Sequence, residues 1–280
     1  MTKGVLGIII CPMMNDQLLH CVCNDPEVSR IVVLENGFSS DLKAKMESRG
    51  RSYELVPESD FYAGKVEFDR NVLNVVIRSN DLALHAEPKD LKVYIEKEVE
   101  EIQPFVDALG LYYGICGNYG WDITAWAAEK GYKPTAVFRG MDGKIVDDCV
   151  AVVIGGSDRY LQLEKTYTGM FYLTPDIAGN WVEFINAGDI GKQLDNIPRE
   201  TLEELGIHSD TDYMRWMFEI GHYEYILKID TGLGDSEKLN QKAVEIGKAL
   251  NLKPIDIEDG WVTLYCAEGI YAQCKKNLPA

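Results

Sequence analysis

Gly4-Val5-Leu6-Gly7-Ile8-Ile9-Ile10-Cys11 and, a little further on, Arg30-Ile31-Val32-Val33-Leu34 are the two runs on which the fold class turns. Each is short, continuous and rich in β-branched side chains, the pattern of a strand buried on both faces. Pro12 stops the first run, because proline has no N–H to give to a ladder. Between them, residues from about Asp16 to Val22 suit a helix. A buried strand, a helix and a second buried strand in succession predict the start of a parallel sheet.

Beyond these runs, Leu42 to Ser48 suits a helix closed by Gly50, and Tyr53 to Val56 a strand ended by Pro57. The run Val72 to Ile77 fits a strand or a helix, and its periodicity leaves both open. Pro88 opens a long amphipathic helix to about Ala108, with Leu91, Val93, Tyr94, Val99 and Ile102 near helical spacing and Lys and Glu on the other face. Leu109 to Ile115 is a further buried strand, ending in Cys116-Gly117-Asn118. A helix (about Asp122 to Lys130), a strand (Thr135 to Arg139) and a helix (about Asp147 to Val153) follow, then a helix to Lys165 capped by Ser157. The last third alternates in the same way, with strands at Gly169–Thr174, Tyr225–Ile229 and near 254–257, helices near 198–205, 212–221 and 236–250, and an apolar end around Trp261 to Ala272. The expected class is α/β, parallel-sheet layers with flanking helices. No repeat or Pro/Ser-rich linker divides the chain, so residues 1–280 read as one α/β unit or as two intertwined Rossmann-like lobes without a clear boundary.

Charge narrows the partners. Acidic residues outnumber basic ones 45 to 28, for a formal charge of −17. Such a surface repels phosphate backbones and anionic lipid. Neither a nucleic acid nor a membrane is expected as a partner; a small-molecule substrate is. Only Met1-Thr2-Lys3-Gly4 precedes the first apolar run, too little for a signal peptide or a membrane span, so a cytoplasmic location is expected. The oligomeric state is left open, a homo-oligomer included.

The seven cysteines are an odd number, so they cannot all pair within one chain, and in a reducing compartment they are buried, catalytic or metal-bound. Cys11, Cys116 and Cys149 stand at strand ends or a helix start, where ligands of open α/β sheets settle. Gly117 lets the backbone turn sharply, and Asn118 tolerates a left-handed conformation and can donate a hydrogen bond. Separations of 105 and 33 residues match no local zinc or ferredoxin spacing. Inert packing therefore stands beside a shared site for these three, and Cys21, Cys23, Cys266 and Cys274 read as packing. The Gly155-Gly156-Ser157 stretch lacks a P-loop ending and reads as a tight turn.

The chain resembles the Domain of Unknown Function 1638 family of archaea and bacteria. The resemblance rests on Ile8-Ile9-Ile10-Cys11, on Gly114-Ile115-Cys116-Gly117-Asn118, and on Arg139 followed by Asp148-Cys149 and an apolar helix to Gly155. Arg159-Tyr160 and Gly169-Met170-Phe171-Tyr172-Leu173-Thr174 continue it. Two features depart from the family pattern: Asp147 stands where a histidine is usual, and Gly140 to Val146 reads as an insertion. The resemblance implies that Cys11, Cys116 and Cys149 form one site, and members resemble proteins found beside corrinoid-dependent methyl-transfer systems.

Three thiolates can hold a [4Fe-4S] cluster with one iron open to substrate, or a zinc ion with a free fourth position. The leading expectation is a small-molecule metalloenzyme with a [4Fe-4S] or, alternatively, a Zn site, in one-carbon, methyl or sulfur metabolism. The rivals are a non-catalytic accessory of corrinoid methyl-transfer proteins and a metal-free enzyme with Cys116 as nucleophile. His85, on the loop before the long helix, is a candidate for proton transfer or a backbone hydrogen bond, and Arg139 and Arg159 are candidates for an anionic substrate group.

Overall fold

The computed structural model describes residues 1–82, 88–116, 120–187, 194 and 196–279. The chain runs β1 (Gly4–Ile10), a 3-10 turn (Pro12–Met14), α1 (Asn15–Asn24), β2 (Val28–Glu35), α2 (Ser40–Ser48), β3 (Glu54–Pro57), α3 (Glu58–Tyr62), β4 (Leu73–Ser79), α4 (Pro88–Ile102), β5 (Ala108–Tyr112), α5 (Ile123–Glu129), β6 (Thr135–Val137) and α6 (Cys149–Ile154). It continues through α7 (Ser157–Thr166), β7 (Met170–Leu173), α8 (Pro175–Gly179), α9 (Trp181–Ala187), α10 (Arg199–Glu204), α11 (Asp210–Ile220), β8 (Tyr225–Lys228), α12 (Ser236–Leu250), β9 (Lys253–Asp256) and α13 (Tyr265–Asn277). Two compact units divide it: residues 1–157 with 264–280, and residues 158–263.

In the first unit six strands form one parallel sheet in the order β3-β2-β4-β1-β5-β6. The ambiguous run before Arg78 is a strand: β4 pairs with β1 on one side and β2 on the other, and every one of its residues is buried. Right-handed crossovers place helices of opposite travel on opposite faces. On one face α1 packs against α2 and α13, and α13 lies over β5 and β6. There Gly110 is required, because a Cβ on it would stand 2.7 Å from the Cys274 sulfur.

The other face is covered by α3, α4 and α5. Phe61, Leu91, Ile95, Val99, Ile102 and Ile123 pack on Val5, Ile9, Val32, Val76, Leu109 and Leu111. Each such fully buried side chain contributes about 1.5–3 kcal/mol. At two positions the structure departs from the sequence expectation. Val93 faces solvent at 66% exposure, and Ile95 takes the core position instead. Ser157 does not cap α7 but begins it, and its buried Oγ has no hydrogen-bond partner among the described residues.

The second unit carries a parallel sheet ordered β7-β8-β9. The α12 helix packs on β8, β9, α8 and α11. Asp235 caps α12 by accepting the Lys238 N–H at 2.8 Å. An aromatic cluster of Phe171, Trp181, Phe184 and Phe218 fills part of this unit. Among the described residues no helix is long and apolar enough to cross a membrane.

Candidate functional site at the carboxyl edge of the first sheet

The strand order fixes where a crevice opens. From β1 the chain moves toward the β2–β3 side of the sheet, and from β5 it moves toward β6. Loops leaving these two adjacent strands therefore diverge, which makes their carboxyl ends a topological switch point. Cys11 is the first residue past β1. Its N–H donates to the Tyr112 carbonyl at 3.3 Å, and its own carbonyl accepts the Met14 N–H at 2.8 Å. Cys116 lies just past β5, on the other lip of the crevice.

Beyond Tyr112 the backbone leaves the ladder and runs against the segment before α6. Ile115 N–H donates to the Val146 carbonyl at 2.9 Å, and Cys116 N–H to the Asp147 carbonyl at 2.7 Å. Cys116 itself has φ 47°, a left-handed conformation that few non-glycine residues adopt. This zipper sets the Cys116 turn beside Asp148 and Cys149. The Asp148 carboxylate caps α6 by accepting the Ala151 N–H at 2.8 Å, and Cys149 is the first residue of that helix. Burial, and after it the Asp148 carboxylate, pushes the Cys116 thiol up to about 12.

A polar network that the sequence reading missed underlies the same edge. In the sheet register Arg78 and Leu111 both lie beside Ile9, so Asn80, Tyr113 and Cys11, each two residues further on, point to the same face. Arg78 is buried and ion-paired with Glu98 of α4, and its Nε lies 2.9 Å from Glu58. It donates to Asn80 Oδ1 at 2.6 Å, while the Asn80 amide donates to Glu98. The buried Tyr113 hydroxyl has no hydrogen-bond partner among the described residues and feels Cys11, Cys116 and the Asn80 side chain. Burial first, and then Cys11, hold that hydroxyl well above the usual tyrosine range. The signal for Glu98 was present in the spacing. With Leu91, Ile95 and Ile102 it falls on one helical stripe, so a carboxylate sits in the apolar face of α4.

The remaining candidates are dispersed. Arg139, past β6, donates to the Gly143 carbonyl at 3.1 Å and to Thr124 Oγ1 at 3.4 Å, with Asp122 at 4.0 Å. Arg159 belongs to the second unit, where it donates to the carbonyls of Gly260 (2.7 Å) and Trp261 (2.9 Å) and lies over the Trp261 ring. His85, Gly117 and Asn118 lie outside the described residues. Cys21 on α1 and Cys266 and Cys274 on α13 are buried, whereas Cys23 on α1 is half-buried. The Gly155-Gly156 pair is a tight turn: a Cβ on Gly156 would stand 2.6 Å from the Gly140 Cα. Among the described residues no three His, Cys, Asp or Glu side chains stand close enough together to hold a metal ion.

A family model described as protein of unknown function (DUF1638) matches residues 80–265, more than half of the chain. The chain belongs to the DUF1638 family. No curated protein and no solved structure matches it. The DUF1638 match begins at Asn80, at the end of β4, and takes in Cys116 and Cys149 but not Cys11.

Proposed function

We propose that the carboxyl edge of β1 and β5 is a small-molecule site. In this reading Cys11, Cys116 and Cys149 supply thiolate ligands to a soft metal centre, a [4Fe-4S] cluster or zinc. The observation that carries the reading is the switch point, with Cys11 and Cys116 on its two lips and the Cys116 N–H bonded to the carbonyl two residues before Cys149. Donor chemistry fits a soft ion, since thiolates select zinc and iron–sulfur centres over magnesium or calcium. Among the described residues the three thiols do not form a ready-made ligand group, so the fit lies in donor type alone. A bound centre would supply a Lewis acid at the crevice.

The chain's own groups have separable tasks. Tyr113, held neutral by burial, keeps a buried hydroxyl without a hydrogen-bond partner among the described residues, available to a bound ligand. Asn80 accepts from Arg78 and donates to Glu98, which ties the end of β4 to α4 beneath the crevice. A metal-free nucleophile at Cys116 is the weaker reading. An activated thiol needs a depressed pKa, and burial beside Asp148 drives this one the other way.

Anaerobic purification with metal analysis and a visible spectrum tests the proposal. About four irons per chain with broad thiolate-to-iron absorption, or one zinc, is the expected result. Each of Cys11→Ser, Cys116→Ser and Cys149→Ser should lower the metal content, whereas Cys274→Ser should not. Chain isolated without metal, and unable to take up zinc or a reconstituted cluster, would refute the reading.

A further inference from the structure

The first unit has a second concave feature, independent of the cysteine edge. A cavity of about 720 Å³ runs along β6, the outermost strand of the sheet, between α5 and α13. Thr124 and Ala128 line one wall; Tyr265, Gly269, Ile270 and Gln273 line the other. Its floor is the strand's free edge. The Leu109 N–H donates to the Pro134 carbonyl at 2.9 Å, and Leu109 and Leu111 register with Thr135 and Val137. In a parallel ladder that pattern turns the N–H and C=O of Ala136 toward β5 and those of Thr135 and Val137 outward. These outward groups have no hydrogen-bond partner among the described residues. Gly269 leaves the facing wall open, with nothing within 4 Å of where its Cβ would be.

We propose that this groove binds an extended acidic peptide segment of another protein, which adds a strand beside β6. Open backbone groups on alternate residues are what a peptide strand pairs with, and a compact ligand has no use for that repeat. Charge selects the occupant. Half-buried Lys133 and the more exposed Arg139 mark the two ends of the groove, in a chain whose formal charge is −17. Self-pairing of two copies is disfavoured by the same residues. Antiparallel pairing centred on Ala136 would set Lys133 of each copy opposite Arg139 of the other, and like charges directly opposite destabilise a strand pair. An incoming strand with glutamate or aspartate at both ends meets a cation at each. At about 3.3 Å per residue, roughly seven residues cover β6 and both cations.

The probe is a seven-residue, β-branched peptide, acetylated and amidated, with glutamate at each end and a fluorescent label. Its binding to the full chain is followed by anisotropy. Saturable binding is expected, weakened at least about tenfold by Lys133→Glu and by lysine in place of the terminal glutamates. Thr135→Pro removes one outward N–H without touching the β5 ladder, and N-methylation of alternate peptide amides removes the matching donors. Each should weaken binding by a similar factor. Circular dichroism checks that Thr135→Pro folds, and the N-methylated peptide tests the same bonds on the unaltered protein. Absence of saturable binding, equal binding of the N-methylated peptide, or displacement by equimolar free glutarate overturns the proposal. So does a concentration-dependent dimer that Thr135→Pro dissolves, which would assign the edge to a second copy.

Discussion

Gly114 and Asp147 are in backbone contact: a Cβ built on Gly114 would stand 2.6 Å from the Asp147 carbonyl oxygen and 2.9 Å from the Asp148 nitrogen. Because this contact adjoins the Ile115 and Cys116 hydrogen bonds, it holds the Cys116 turn against the start of α6. Gly114→Ala is therefore expected to push the two segments apart. The cost should be about 1–3 kcal/mol, the usual range for overpacking against an unyielding neighbour. Urea unfolding measures the loss. Alkylation mapped by mass spectrometry should show Cys116 reacting faster in the variant, and an unchanged rate would mean that the zipper does not shield it.

The Arg78–Glu98 pair predicts an asymmetry between single and double substitutions. Arg78→Met leaves Glu98, whose side chain is only 3% exposed, without its buried cation. Breaking a buried pair from one side costs about 3–5 kcal/mol, whereas replacing both partners by apolar groups of similar volume is often neutral. Arg78→Met with Glu98→Leu should thus regain most of the stability lost in Arg78→Met alone. Denaturant midpoints of the wild type, both singles and the double give the coupling directly. Glu58, which also faces Arg78, limits the recovery.

Acid sensitivity is expected from the end of α1. Burial raises the Asp25 carboxyl, but hydrogen bonds from Lys275, the Glu27 N–H and Tyr271 outweigh it, and the net shift is downward. The Lys275 ammonium lies 2.6 Å away and the Tyr271 hydroxyl 2.9 Å. A carboxyl depressed in the folded state stabilises fully above its unfolded value, near pH 4, and loses that contribution as pH falls through the folded value. Asp25→Asn should cost about 1 kcal/mol at pH 7 after allowance for solvent screening. Its deficit against wild type should shrink steadily below about pH 4. Denaturant midpoints across pH 2.5–7 check this, and a constant deficit would assign the effect to packing.

The end of β1 was legible because burial on both faces leaves a continuous apolar run that stops at Cys11; the strand expected to run to Ile115 ends instead at Tyr112, because the chain stays apolar after it leaves the ladder. The run before Arg78 was ambiguous because a fully buried strand has no two-residue alternation to distinguish it from a buried helix. The division into two units was hidden for a different reason. The first unit closes only when α13 returns to cover β5 and β6, so no single point along the chain separates the lobes. The Arg78–Asn80–Glu98–Glu58 network escaped because its members come from three elements. Only the carboxylate within the apolar stripe of α4 betrayed it locally.

Gly110 and Cys274 supply the final prediction. A Cβ on Gly110 would stand 2.7 Å from the Cys274 sulfur and 2.8 Å from Ile8 Cδ1, so sheet and helix interlock at a residue without a side chain. Gly110→Ala should destabilise by about 1–3 kcal/mol through overpacking. Cys274→Ala alone should also destabilise, by opening a small cavity where the sulfur was. Combined, the added methyl occupies space the sulfur vacated, so the double variant should lose less than the sum of the singles, a favourable coupling of about 0.5–3 kcal/mol. Burial raises the Cys274 thiol well above the ordinary cysteine range, so it should resist alkylation until the protein unfolds. Thermal melts of the four proteins, with alkylation followed through the transition, test both statements. Strict additivity, or labelling of Cys274 well before the melt, would show that α13 does not sit locked on β5.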